Sequence, residues 1–156
     1  GIDNKKLSNS FIFHARGRKD VRPEHNWHTD NWEKLKDLLA SSNSQAKFYS
    51  IGTKKDSFLI EGTEDWRGKD LESVCKLMNS SNAVFGPSSG AMHLASQCNS
   101  KVVVWSIEYN KKRYMEWWNP HKTPTLYLQK FNWHPTADYV YDKFKDWDKE
   151  EIKSDV

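Results

Sequence analysis

Residues 82–105 read NAVFGPSSGAMHLASQCNSKVVVW, and the fold is decided by how this stretch is parsed. Ala83-Val84-Phe85-Gly86 is a short apolar run of strand character. Ser89 to Gln97 has the length and spacing of a helix, and Lys101 to Trp105 is a β-branched strand. Between the first strand and the helix lies the turn Gly86-Pro87-Ser88-Ser89-Gly90. In an open α/β sheet such a turn lies beyond the carboxyl end of a strand, which is where ligands bind. Gly86 and Gly90 allow close backbone approach, and Ser88 and Ser89 offer hydroxyls and a helix N-cap. The start of the helix presents unpaired N–H groups and a positive dipole end, which suits a pyrophosphate. The competing reading is that the turn only reverses the chain. His93, one turn into the helix, faces either a ligand or the sheet. The pattern is neither a Walker loop nor the GxGxxG dinucleotide fingerprint.

The same strand–helix alternation continues on both sides. Ser10 to Ala15 reads as a buried strand, Lys47 to Ile51 as a second closed by Gly52-Thr53, and Phe58 to Ile60 as a short third. Thr29 or Asp30 caps a helix carrying Trp32, Leu35, Leu38 and Leu39, and Glu33 completes a capping-box pattern with Asp30. Leu71, Val74, Leu77 and Met78 form another helical stripe. Thr125 to Leu128 is a last strand, and Ala137, Val140, Phe144 and Trp147 mark a closing helix. These elements predict a Rossmann-like, doubly wound parallel sheet of five or six strands with helices on both faces. The expected organisation is a flexible lead-in over residues 1–9 and a single domain over residues 10–150.

Composition sets the class. The 156 residues suffice for one core, and 13% aromatic residues offset a hydrophobic fraction of only 37%. With 24 basic and 21 acidic residues the net charge is +3, too balanced for a general nucleic-acid binder. Cys75 and Cys98 have no metal-ligand spacing and read as buried free thiols. With no apolar run long enough to span a membrane and no signal peptide, this fits a cytoplasmic protein. The chain begins at Gly1, as an excised domain or the remnant of a cleaved tag would.

Arg16, Arg18, Lys19 and Arg22 crowd the loop after the first strand, on the same sheet edge as the Gly86–Gly90 turn. Arginine forks match phosphate oxygens, so a diphosphate fits between loop and helix end; a solvated basic loop is the plainer alternative. Glu61, Glu64 and Asp65 are candidates for a ribose and Trp66 for a base. His25 and His28 lack the partners of a zinc site. Trp105 at the strand end and Tyr109, Tyr114, Trp117 and Trp118 in the loop after it make this stretch aromatic, either to grip a sugar or partner domain or to cover the sheet edge.

Ser88-Ser89-Gly90-Ala91-Met92-His93-Leu94-Ala95 resembles the Asp-Ser-Gly-Pro-Met-His-Leu-Ala type signature of the heptosyltransferase family of glycosyltransferases. Ser88 stands where that family has Asp, and Ala91 where it has Pro. His14, Asn26-Trp27 with the segment from Asn31 to Leu35, Ile51-Gly52, and the segment from Gly68 to Leu71 follow the family in order and spacing, so that the resemblance covers roughly residues 10–145. It implies the C-terminal, nucleotide-sugar-binding domain of a two-domain GT-B glycosyltransferase, inverting and metal-independent, with a nucleotide-diphosphate sugar as donor and no cofactor. Arg16 and Arg18 would neutralise the leaving diphosphate, Ser88, Ser89 and Gly90 would hold it, and His93 would orient the turn or touch a phosphate. The catalytic base would come from an N-terminal acceptor-binding domain absent here. The stretch from His14 to Asp20 also resembles the His-x-Arg-Arg-x-Asp loop of fucosyltransferases. Other classes are a non-catalytic binding or assembly module that keeps the fold, and a nucleotide-sugar epimerase.

Overall fold

The computed structural model of the chain describes residues 9–117, 119 and 122–154. The expected lead-in over residues 1–9 lies, up to residue 8, outside the described residues, and so does Trp118. Six parallel strands form one sheet: β1 (Ser10–Phe13), β2 (Lys47–Ser50), β3 (Glu64–Asp65), β4 (Ala83–Pro87), β5 (Val102–Trp105) and β6 (Thr125–Leu128), in the order β3-β2-β1-β4-β5-β6. The helices are α1 (Thr29–Ser42), α2 (Leu71–Ser80), α3 (Gly90–Gln97) and α4 (Ala137–Ser154). The doubly wound α/β fold expected from the sequence is therefore present.

Strand residues alternate between two cores, as period-2 geometry requires. Phe11, Phe13, Ala83, Phe85, Val103 and Trp105 point to one face, where Trp32, Leu35 and Leu39 of α1 and Ala137, Val140 and Phe144 of α4 cover them. Ile12, Val84, Val102 and Val104 point to the other, against Val74, Leu77 and Met78 of α2 and Met92 and Ala95 of α3. Because both faces are buried at the centre of the sheet, β1, β4 and β5 read as apolar runs without polar alternation. The first core is aromatic. Trp27, Trp32 and Trp105 are fully buried and meet with ring centroids 4.6–5.5 Å apart, and Trp27 Nε1 donates to Pro135 O at 2.8 Å. A few large rings thus fill the volume that a low hydrophobic fraction leaves to be filled.

Three local expectations are corrected. The third strand is Glu64–Asp65, not Phe58 to Ile60. It is a two-residue edge strand with both residues exposed, and acidic residues give no β signal. Ile60 is apolar because its loop packs into the first core. Helix α1 is capped neither by Thr29 nor by Asp30: His28 Nδ1 accepts the Asp30 N–H at 3.0 Å, an imidazole nitrogen doing what a hydroxyl or carboxylate usually does. Finally, Cys75 and Cys98 are not free thiols but a disulfide joining α2 to the end of α3. Disulfides persist mainly in oxidising compartments, so a cytoplasmic placement loses the support it drew from free thiols. No helix among the described residues is long and apolar enough to cross a membrane.

Candidate functional site

The strand order reverses between β1 and β4, so the crevice at their carboxyl ends is the topological switch point of the sheet. His14, directly after β1, extends the pairing by donating its N–H to Phe85 O at 2.9 Å. Its ring crosses the crevice to Ser89, with Nδ1 3.1 Å from Oγ. Two glycines make this contact possible. A Cβ on Gly86 would lie 2.8 Å from Met92 Sδ and 3.0 Å from the His14 carbonyl oxygen. Gly52, at φ +117°, would push a Cβ against Ser57 and the His14 ring.

The turn from Gly86 to Gly90 is wired to the rest of the molecule. Ser89 is the N-cap residue of α3, but its hydroxyl goes to His14 and not to the helix. The Ser89 N–H donates to Tyr114 Oη at 3.1 Å, and that hydroxyl donates to Ser88 Oγ at 3.0 Å. Tyr114 is fully buried and stacks on His93 with centroids 4.0 Å apart. Of the two readings open for the aromatic loop, Tyr114 follows the covering one: it packs in the second core and pins the turn. Tyr109 and Trp117 stay 77% and 64% exposed. Gly90 is exposed and has open space where a Cβ would stand.

Around this point lies a cleft of about 1190 Å³. All six residues singled out from the sequence line it: Arg16, Arg18, Ser88, Ser89, Gly90 and His93. Further cations in its wall are Arg22, Lys69 and Arg113, against the single carboxylate of Asp56. An excess of fixed positive charge in a concave, partly desolvated site favours an anionic ligand. Arg16 itself is only 7% exposed, and its guanidinium donates to the carbonyls of Val21 and Arg22 and to Asn26 Oδ1. Lys69, from the Gly68–Leu71 segment, joins the wall, as do Arg113, Asp56 and Trp133, which no sequence pattern announced because each sits in an irregular segment or next to one. Trp133 stacks flat on His25 with centroids 3.7 Å apart. Glu61, Glu64, Asp65 and Trp66 are not in the cleft wall: Asp65 pairs with Arg67 at 2.9 Å and Glu64 accepts from the Trp66 indole.

Burial, more than neighbouring charge, keeps His14 and His93 neutral. Burial, and then the Arg16 charge, lowers the His14 pKa to about 4; burial, and then Arg113, does the same to His93. The Ser89–His14 contact is therefore not an activated nucleophile, because an imidazole that weakly basic draws little proton from a hydroxyl at neutral pH. No group of three or more His, Cys, Asp or Glu able to hold a metal ion occurs among the described residues. The cleft thus brings together the start of α3, the His14 and His93 rings and a wall rich in cations.

Fold and cleft together define a Rossmann-like α/β unit with its cleft at the switch point. No protein-family model matches the sequence, and no curated protein matches it. Solved structures do. A glycosyl transferase of family 9 from Veillonella parvula DSM 2008 is similar over 92% of this chain and 47% of its own, with a TM-score of 0.67 and 13% identity. The E. coli heptosyltransferase WaaC with ADP is similar over 94% of this chain and 47% of its own, with a TM-score of 0.65 and 13% identity. The chain thus spans about half the length of these glycosyltransferases, and at that identity the likeness is one of fold. It agrees with the heptosyltransferase-like architecture suggested by residues 88–95.

Proposed function

We propose that this chain is the donor-binding domain of a glycosyltransferase and takes a nucleotide-diphosphate sugar at the β1/β4 switch point. The observation that carries the reading is the cleft itself: five Arg and Lys side chains against one carboxylate, gathered at the carboxyl edge where α3 begins. A diphosphate is the ligand group whose charge and size fit such a wall. The fold likeness to a family 9 glycosyl transferase and to a heptosyltransferase with ADP supports the same reading. In an inverting, metal-independent transfer, the arginines would stabilise the departing nucleoside diphosphate, where negative charge develops. No residue of this chain is assigned the catalytic base; in this reading it belongs to an N-terminal acceptor-binding domain.

A second reading has its own support. The Ser88 and Ser89 hydroxyls and the Ser89 N–H are already bonded to Tyr114 and His14, and Ser88 replaces the signature aspartate. That favours a binding or assembly module which keeps the fold without the chemistry. Calorimetric titration with ADP, GDP and UDP separates the two. Binding of one nucleoside diphosphate in the micromolar-to-millimolar range, weakened in Ser89→Ala, is the expected result and names the base. A folded chain that binds none of the three favours the inert module.

A further inference from the structure

The loop joining β1 to α1 is organised around one buried guanidinium. Arg16 Nη1 donates to Arg22 O at 2.9 Å and to Asn26 Oδ1, and Nη2 donates to Val21 O at 2.7 Å. Asn26 completes the core of the loop: its Nδ2 donates to Arg18 O at 2.8 Å, and its Oδ1 accepts the Arg18 N–H at 3.2 Å. From the outside, Gly17 N–H is held by Asp56 O at 2.8 Å, and Phe58 leaves no room for a Cβ on Gly17. Arg22 adopts φ +46°, a left-handed conformation costly for a residue with a side chain, and its carbonyl is one of those the guanidinium holds.

These bonds divide the labour between two arginines. The fork of Arg16 is used inside the loop, with its residue 7% exposed. Arg18 has its backbone N–H and carbonyl both fixed by Asn26, while its side chain lines the cleft with no hydrogen-bond partner among the described residues. The backbone beneath that charge is already ordered, so an arriving anion has only the Arg18 side chain left to immobilise.

We propose that Arg16 and Asn26 are positioning residues that build this loop, and that Arg18 is the loop's contact to the diphosphate of the bound nucleotide. This rests on the donor-domain reading for its ligand, but the positioning role does not depend on it. Only a planar fork reaches two carbonyls and an amide oxygen at once; a lysine ammonium is a point charge and cannot replace it.

Two measurements on the full chain decide the matter. The first is hydrogen exchange of residues 17–26 in the ligand-free protein. The second is calorimetric titration with ADP, GDP and UDP. The proteins compared are wild type, Arg18→Ala, Arg16→Lys and Asn26→Ala, each confirmed as folded by circular dichroism. Arg18→Ala is expected to keep wild-type exchange while weakening the best-binding diphosphate about 10- to 100-fold, the worth of one charge-assisted contact. Arg16→Lys and Asn26→Ala are both expected to speed exchange in the loop and to lose a comparable factor in affinity. If Arg16→Lys keeps loop protection and most of the affinity, Arg16 is an ordinary cation of the site and the positioning role is overturned. Wild-type affinity in Arg18→Ala overturns its contact role. If wild type binds none of the three, the donor reading fails and the Arg18 assignment with it, while exchange in Arg16→Lys and Asn26→Ala still decides the positioning role.

Discussion

His14 ties three parts of the molecule together, because it follows directly on β1, packs against Gly52 and Gly86, and reaches Ser89 across the crevice. Folding lowers its pKa from 6.5 to about 4 through burial and the neighbouring Arg16 charge. Below pH 6.5 the unfolded chain therefore binds a proton that the folded chain refuses. The stability this neutral ring allows is complete above pH 6.5 and is lost as pH falls toward 4. Between pH 7 and pH 5 the loss from His14 alone is about 2 kcal/mol. Urea melts at the two pH values should show it, and His14→Gln should flatten the difference; an unchanged slope in that variant would assign the acid sensitivity elsewhere. In the sequence His14 stood out only through its resemblance to the early His of the heptosyltransferase family. That it is neutral was not legible there, because burial and the Arg16 charge are properties of the folded surroundings.

Among the elements, α2 was readable from its stripe of Leu71, Val74, Leu77 and Met78, and α3 from its place between a Gly-Pro-Ser-Ser-Gly turn and a β-branched strand. Their covalent link was not. Cys75 and Cys98 sit 23 residues apart with a whole strand between them, and only the packing of both helices on one sheet face brings their Cα atoms to 5.5 Å. Closing a loop of that length restricts the unfolded chain by about 3 kcal/mol on the chain-entropy account. Treatment with a phosphine reductant, or the Cys75→Ser variant, is expected to lower the denaturation midpoint accordingly. Equal midpoints with and without reductant would mean the bond adds nothing to stability. The misread third strand has a similar origin: a two-residue edge strand of Glu64 and Asp65 carries no pattern, since it exists only by pairing with Tyr49 and Ser50.

For the whole molecule, charge is nearly balanced at +3, yet five of the cations share one cleft with one carboxylate. Binding of a diphosphate there should be strongly salt-dependent, because screening weakens the attraction while leaving the apolar cores untouched. Raising sodium chloride from 50 to 500 mM is expected to weaken nucleoside diphosphate binding several-fold with little change in melting temperature. A salt-insensitive affinity would argue that the ligand is held by apolar and neutral contacts instead.

The sequence by itself determined the class of fold and the edge of the sheet that carries the cleft. Alternation of apolar strands with striped helices, and a Gly-Pro-Ser-Ser-Gly turn between a strand and a helix, are local signals that survive without tertiary information. Tertiary structure alone decided what each polar group is doing. Arg16 reads as a phosphate ligand in the chain and is the buried hub of its loop in the fold. Ser89 reads as a helix cap and instead meets His14. Tyr114 reads as one aromatic among five and becomes the clamp on the turn. The physical reason is common to all three. A hydrogen bond is spent on whichever partner the packing brings within about 3 Å, and for these residues the partners lie from five to 75 positions away along the chain.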